Sequence, residues 1–308
     1  MKTILIASLA LFVAAPAHAL VGGAIDPNTA TSPWAGVGAV MVNGGTFSGA
    51  LINNQYVLTA AHVVGGQVNT PGNVSFTLNA GSNASHVIAA ESIKVFPGYT
   101  GTTPGSDGVW HDDLALIKLA SPVVGVAGYG LYSGALDGQT LSLAGYGAGG
   151  DGTNGATVSP SPNVKRVGQN RVDRLLVDDD SGGTQNEIYV FDFDGPNGSS
   201  NVYGPDAPPN LTLGATIEAQ FAGGDSGGPV FVNDNGVWKI AGIAAFNGST
   251  TGLPGSNVLF GSVGGGTIIA PYQTWIEQNT APVPEAETYL LFLAGLGLVG
   301  LMTYRRKV

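Results

Sequence analysis

The shape of the apolar segments limits this chain more than any other feature. They are short, rich in β-branched and aromatic residues, and separated by glycine, asparagine, aspartate and proline. Residues 36–42, 55–59, 74–78, 114–119, 140–144, 229–232, 238–246 and 266–269 are such segments; Asn43-Gly44-Gly45 and Asn233-Asp234-Asn235-Gly236 are typical separators. This pattern predicts many short strands joined by tight turns, with a helical period only at 271–278. The expected fold class is all-β, a barrel or a sandwich. The 49 glycines and 18 prolines in 308 residues stay below the roughly 25–30% of disordered chains, so the chain is expected to fold. Residues 149–165 and 176–210 are predicted to be surface loops.

Eleven Lys and Arg against 21 Asp and Glu give a formal charge of −10, which argues against a nucleic-acid partner. No cysteine is present, so any rigidity must come from packing and not from disulfides. Both ends are apolar. Lys2, the run from Ile4 to Ala15 and the Ala17-His18-Ala19 step predict a signal peptide over 1–19, cleaved by signal peptidase after Ala19. Residues 289–304, roughly 24 Å as a helix against a ~30 Å hydrocarbon core, predict a short transmembrane helix. The basic tail 305–308 would then stay inside, and the protein would be membrane-anchored after export.

Three constellations carry chemistry. Gly223-Gly224-Asp225-Ser226-Gly227-Gly228-Pro229 sets a serine among glycines, where the backbone can turn tightly and present N–H groups beside the hydroxyl. The chain holds its own control in Asp179-Asp180-Ser181-Gly182-Gly183, where an aspartate stands in place of the first glycine and no apolar strand follows directly. Tyr56-Val57-Leu58-Thr59-Ala60-Ala61-His62 leads an apolar strand through small residues to a histidine. His111-Asp112-Asp113-Leu114 starts an apolar strand with acids; Asp112 reads as a solvated turn, whereas Asp113 needs hydrogen-bonding partners of the kind a histidine supplies.

These motifs, with Leu20-Val21-Gly22-Gly23, Gly49-Ala50-Leu51-Ile52-Asn53, Ala144-Gly145-Tyr146-Gly147 and Tyr272-Gln273-Thr274-Trp275-Ile276, stand in the order and spacing of chymotrypsin-like (trypsin-like) serine proteases. The resemblance spans about residues 20 to 279. The C-terminal stretch, Val283-Pro284-Glu285-Ala286 followed by the apolar run and basic tail, resembles the PEP-CTERM sorting signal processed by an exosortase, with Ala286 where the motif has proline; it implies a cell-surface or extracellular location once the tail is processed. The first resemblance implies two six-stranded Greek-key barrels, 20–122 and 123–279, followed by a linker at 280–288. It implies an exported serine endopeptidase without a cofactor or metal, acting on protein or peptide substrates. Ser226 would be the nucleophile, His62 the base and Asp113 its orienting acid, with the N–H groups of Gly224 and Ser226 as the oxyanion hole. A freed amine at Leu20 would pair with Asp225; Gln220, Asn247 and Gly264 would shape a substrate pocket that lacks a carboxylate and favours small or medium uncharged residues.

Departures from the family pattern are clear. Phe47, Val63 and Ala222 stand where half-cystines are common, so apolar packing is expected to replace the bridges. Ala245-Phe246-Asn247 replaces Ser-Trp-Gly, which removes a hydroxyl expected beside Asp113. Two other classes fit the sequence: a catalytically silent relative that binds protein or polymer, and a matrix protein of the cell surface. Calcium in the acidic stretches 178–180 or 192–194 lacks the EF-hand spacing.

Overall fold

A computed structural model of the chain describes residues 20–101, 111–177, 184–196, 200–203, 212–249 and 258–281, with the single positions Ala294 and Leu296. Residues Met1–Gln273 form one unit and Thr274–Val308 a second. The first unit opens with β1 (Leu20–Val21) and β2 (Ala24–Ile25). Then β3 (Val37–Val42), β4 (Gly45–Leu51), β5 (Tyr56–Thr59), β6 (Val74–Ala80), β7 (Asn83–Val95) and β8 (Ala115–Leu119) close into a barrel in the order β3-β4-β5-β8-β7-β6. A short helix, α1 (Ala61–Val64), follows β5.

The turns show why this sequence makes hairpins. Asn43 and Gly44 take φ of 49° and 85° between paired Val42 and Gly45, and Asn235 and Gly236 take 54° and 88° between Asp234 and Val237. Two successive positive φ values twist a two-residue turn to match the strands, and asparagine with glycine adopts them at least cost. Inside the barrel, the buried Phe76 ring lies over Gly38, where any Cβ would collide with it. Truncating Phe76 to alanine is expected to cost about 3–5 kcal/mol.

The second half comprises β9 (Gly130–Leu131), β10 (Thr140–Gly145), β11 (Gly149–Asp151), β12 (Gly155–Val158), β13 (Arg166–Arg171), β14 (Arg174–Val177) and β15 (Asn186–Asp192), then β16 (Pro229–Asp234), β17 (Val237–Ser249) and β18 (Ser262–Ile268). Here the expectation of two closed six-stranded barrels fails. Among the described residues, all of these strands but β11 and β12 join β2 in an open nine-stranded sheet in the order β14-β15-β18-β17-β16-β10-β13-β2, with β9 beside β17, while β11 and β12 form a separate sheet with β1. The free side of β15 is taken by β14 and that of β13 by β2, so β13 and β15 never pair. Side chains span the seam between them: Asn170 Nδ2 donates to the carbonyls of Asp192 (2.8 Å) and Ala219 (3.1 Å), and Asp173 Oδ2 accepts the Asp192 N–H (3.0 Å). A core of Leu141, Leu143, Tyr189, Phe191, Val230 and Ala244 packs behind the sheet.

The predicted surface loops also need correction. β11 and β12 form a hairpin within 149–165 that pairs in parallel with β1, and β15 within 176–210 is a core strand with Ile188, Tyr189, Val190 and Phe191 buried.

The second unit contains all but the first residue of α2 (Gln273–Thr280), a helix of eight residues or about 12 Å. Among the described residues no helix is long and apolar enough to cross a membrane, which overturns both the expected transmembrane helix and the membrane anchoring inferred from it. The segment 289–304 itself lies outside the described residues except for Ala294 and Leu296, and the signal peptide 1–19 lies wholly outside them.

Candidate active site

Asp113 is fully buried just before β8, and both of its carboxylate oxygens serve His62. Oδ1 accepts the backbone N–H of His62 at 2.8 Å, and Oδ2 lies 2.6 Å from Nδ1 of the ring. The first bond satisfies one of the N–H groups that the start of α1 leaves without an intrahelical partner, so the carboxylate caps the helix and aims its histidine together. The His62 side chain remains 19% exposed. Its Nδ1 is thus committed to the acid, which fixes which ring nitrogen faces Asp113.

Asp112 is no solvated turn residue. It is buried with φ 52°, and Oδ1 accepts the Tyr272 hydroxyl at 2.8 Å. This bond ties down the residue next to Asp113, while Thr267 on β18 donates to the Asp113 carbonyl at 3.5 Å.

Ser226 sits in the turn before β16, partly exposed. Gly224 and Gly227 on either side take φ of 95° and 78°, which side-chain-bearing residues rarely adopt. Gly227 lies against Thr59 and the Ala60 nitrogen, so the serine turn is packed on the segment that leads into His62. Among the described residues, the N–H groups of Gly224 and Ser226 donate to no protein acceptor, in a turn whose other N–H groups, Asp225, Gly227 and Gly228, are all bonded. Such a pair is suited to a developing oxyanion.

Ser48, on β4, holds this turn from the barrel side. Its hydroxyl donates to the Gly224 carbonyl (2.9 Å) and accepts the Tyr146 N–H (2.9 Å), and its own N–H donates to the Ser226 carbonyl (3.0 Å). Sequence reasoning missed Ser48, because one hydroxyl in a strand carries no local signal.

A cavity of about 220 Å³ opens beside Ser226, between residues 221–223 and 244–247. Asn247 crosses it, its Nδ2 donating to the Phe221 carbonyl at 2.7 Å. This polar staple joins walls next to Ala222, where apolar packing alone was expected to replace a disulfide. Gln220 and Gly264 touch each other but do not line the cavity. The Gln220 amide is used within the fold, accepting the Phe221 N–H and donating to the Ser262 carbonyl. Glu218 is buried and likewise engaged, accepting from Leu213 and Asp194 N–H and the Thr212 hydroxyl; burial raises its pKa.

Leu20 and Asp225 are both buried, yet the structure does not join them by a hydrogen bond. Asp225 instead accepts the N–H groups of Gly147 and Ala222, each at 2.9 Å. Val21 is nonetheless seated, exchanging backbone bonds with Gln220 at 3.1 and 2.8 Å.

No group of three or more potential metal ligands stands together among the described residues. Asp192 accepts backbone N–H groups of Val202 and Tyr203; 178–180 and Ser181 lie outside the described residues.

Comparison with protein families matches residues 21–193 to trypsin, more than half of the chain, and residues 282–307 to the PEP-CTERM protein-sorting motif. The trypsin match contains His62 and Asp113, and Ser226 lies beyond it. With its buried His–Asp pair and this match, the chain belongs to the trypsin family of proteases, and it carries a PEP-CTERM sorting motif at its C-terminal end.

Proposed function

We propose that the protein is a serine endopeptidase that hydrolyses peptide bonds through an acyl-enzyme, using Ser226, His62 and Asp113. The observation that carries this reading is the buried Asp113 carboxylate, both of whose oxygens are given to His62. The Ser226 hydroxyl attacks the scissile carbonyl while His62 Nε2 takes its proton and later passes it to the leaving amine. Asp113 holds the tautomer and stabilises the imidazolium. The N–H groups of Gly224 and Ser226 receive the oxyanion, each contributing about 2.7–4 kcal/mol. The halves 20–122 and 123–279 would each supply part of this machinery.

Asn247 narrows the cavity beside Ser226, and among the described residues no carboxylate lines it. The side chain before the scissile bond is therefore small or medium and uncharged. The sorting motif supports delivery toward the cell surface through an exosortase-type pathway. Release at Ala19 by signal peptidase would free the Leu20 amine beside the Asp225 pocket.

The test is peptide hydrolysis by purified full chain against Ser226→Ala and Ser181→Ala. Ser226→Ala is expected to lower kcat by about 10⁶, with Ser181→Ala unchanged. The reverse pattern, or a wild type that binds peptides without cleaving them, would favour a binding protein.

A further inference from the structure

Arg166, at the start of β13, is only 2% exposed. Its Nη1 donates to the Gly147 carbonyl at 2.7 Å, and among the described residues its Nε has no partner. Burying a guanidinium this way is costly unless a negative charge lies near it. Asp225, 1% exposed, is the charge that acts on it, across Gly147 and not through a direct ion pair. Gly147 links the two, with its N–H on Asp225 Oδ1 and its carbonyl on Arg166. Room for the carboxylate is made by Gly145, the register partner of Arg166, and by Gly147, since a Cβ on either would run into it. No other charged side chain acts on Asp225 among the described residues: β10 and its end bring Gly145 and Gly147, β4 brings Ser48, and the turn itself brings Ser226. Burial raises the Asp225 pKa to about 7, and Arg166 opposes that rise together with the two N–H groups.

Asp225 in turn shapes the serine turn. Its N–H donates to the Ala222 carbonyl, its carbonyl accepts from Gly228, and its Oδ2 accepts from Ala222. Gly224 and Ser226 are therefore placed on either side of a residue fixed from three directions.

Resting on the protease reading, we propose that Arg166 is a positioning residue whose buried guanidinium supplies the counter-charge for Asp225 and holds the Gly224–Ser226 turn ready for an oxyanion before any N-terminal amine is released. Activity then does not wait for cleavage after Ala19.

The experiment compares two forms of the full chain: one produced without export, keeping residues 1–19 as verified by mass, and one processed to begin at Leu20. In each, wild type, Arg166→Gln and Arg166→Lys are assayed for kcat and KM on a peptide substrate. The unprocessed wild type should keep kcat within about threefold of the processed form. Arg166→Gln should lower kcat of the unprocessed form by about 10- to 100-fold, approaching the loss of one oxyanion donor, with KM unchanged. It should lower kcat of the processed form less, because the amine substitutes, and Arg166→Lys should recover most of the loss. The proposal is overturned if processed wild type is active while unprocessed wild type is silent. It is also overturned if Arg166→Gln changes nothing, or if Arg166→Lys does no better than Arg166→Gln. Should Arg166→Gln fail to fold, the wild-type pair and Arg166→Lys still decide. Inactivity of every form, processed wild type included, overturns the protease reading itself and this proposal with it.

Discussion

At the scale of single residues, two acids adjacent in sequence do different work. Asp113 gives both oxygens to His62, whereas Asp112 accepts the Tyr272 hydroxyl and anchors the turn. Asp113→Asn would leave the shape nearly intact and favour the wrong tautomer, so kcat is expected to fall by about 10⁴ with little change in thermal stability. A drop in stability as large as a core truncation would mean that the carboxylate acts mainly as a helix cap. Ser48→Ala should leave the Gly224 carbonyl and Tyr146 N–H without partners, costing about 1–3 kcal/mol in denaturant unfolding and lowering kcat more than it raises KM. The His62–Asp113 pair was legible because each residue sits at the end of an apolar strand. Asp112 was misread because its partner is 160 residues away. Ser48 and Arg166 left no local trace, since their meaning comes only from what the fold sets beside them.

Among elements, the hairpins were legible and the closure of the sheet was not. Asn43-Gly44 and Asn235-Gly236 announce their turns locally, but nothing local says that β14 and β2 will occupy the free sides of β15 and β13. β15 was hidden for another reason: the run Ile188-Tyr189-Val190-Phe191 is β-branched and aromatic enough for a strand, yet it is flanked by aspartate, glycine and asparagine that made the region read as loop. The seam between β13 and β15 yields its own prediction. Asn170→Leu removes the donor to Asp192 and Ala219 and should destabilise the protein by about 1–3 kcal/mol or more in denaturant unfolding. An unchanged midpoint would show that the seam is held by other contacts.

Over the whole molecule, a chain without cysteine uses hydrogen-bonded staples as well as its apolar core, Asn247 on Phe221 and Ser48 on Gly224 among them. Buried charges add a pH signature. Lys165, 1% exposed with its ammonium on the Trp34 carbonyl, has its pKa lowered by burial to about 8, against an opposing pull from Asp26. The unfolded chain therefore holds the Lys165 proton over a window in which the folded chain has lost it, and stability gains from this group as pH rises from about 8 to about 10.4. Lys165→Met should flatten that part of a melting-temperature profile; an unchanged slope would assign the effect to other groups. The account as a whole rests on Ser226 being a nucleophile activated by His62, and active-site labelling tests this most directly. Full-length protein treated with a fluorophosphonate and mapped by mass spectrometry should carry the adduct on Ser226, and His62→Ala should abolish it in a folded protein. An adduct on Ser181, or labelling of Ser226 that persists undiminished without His62, would contradict it.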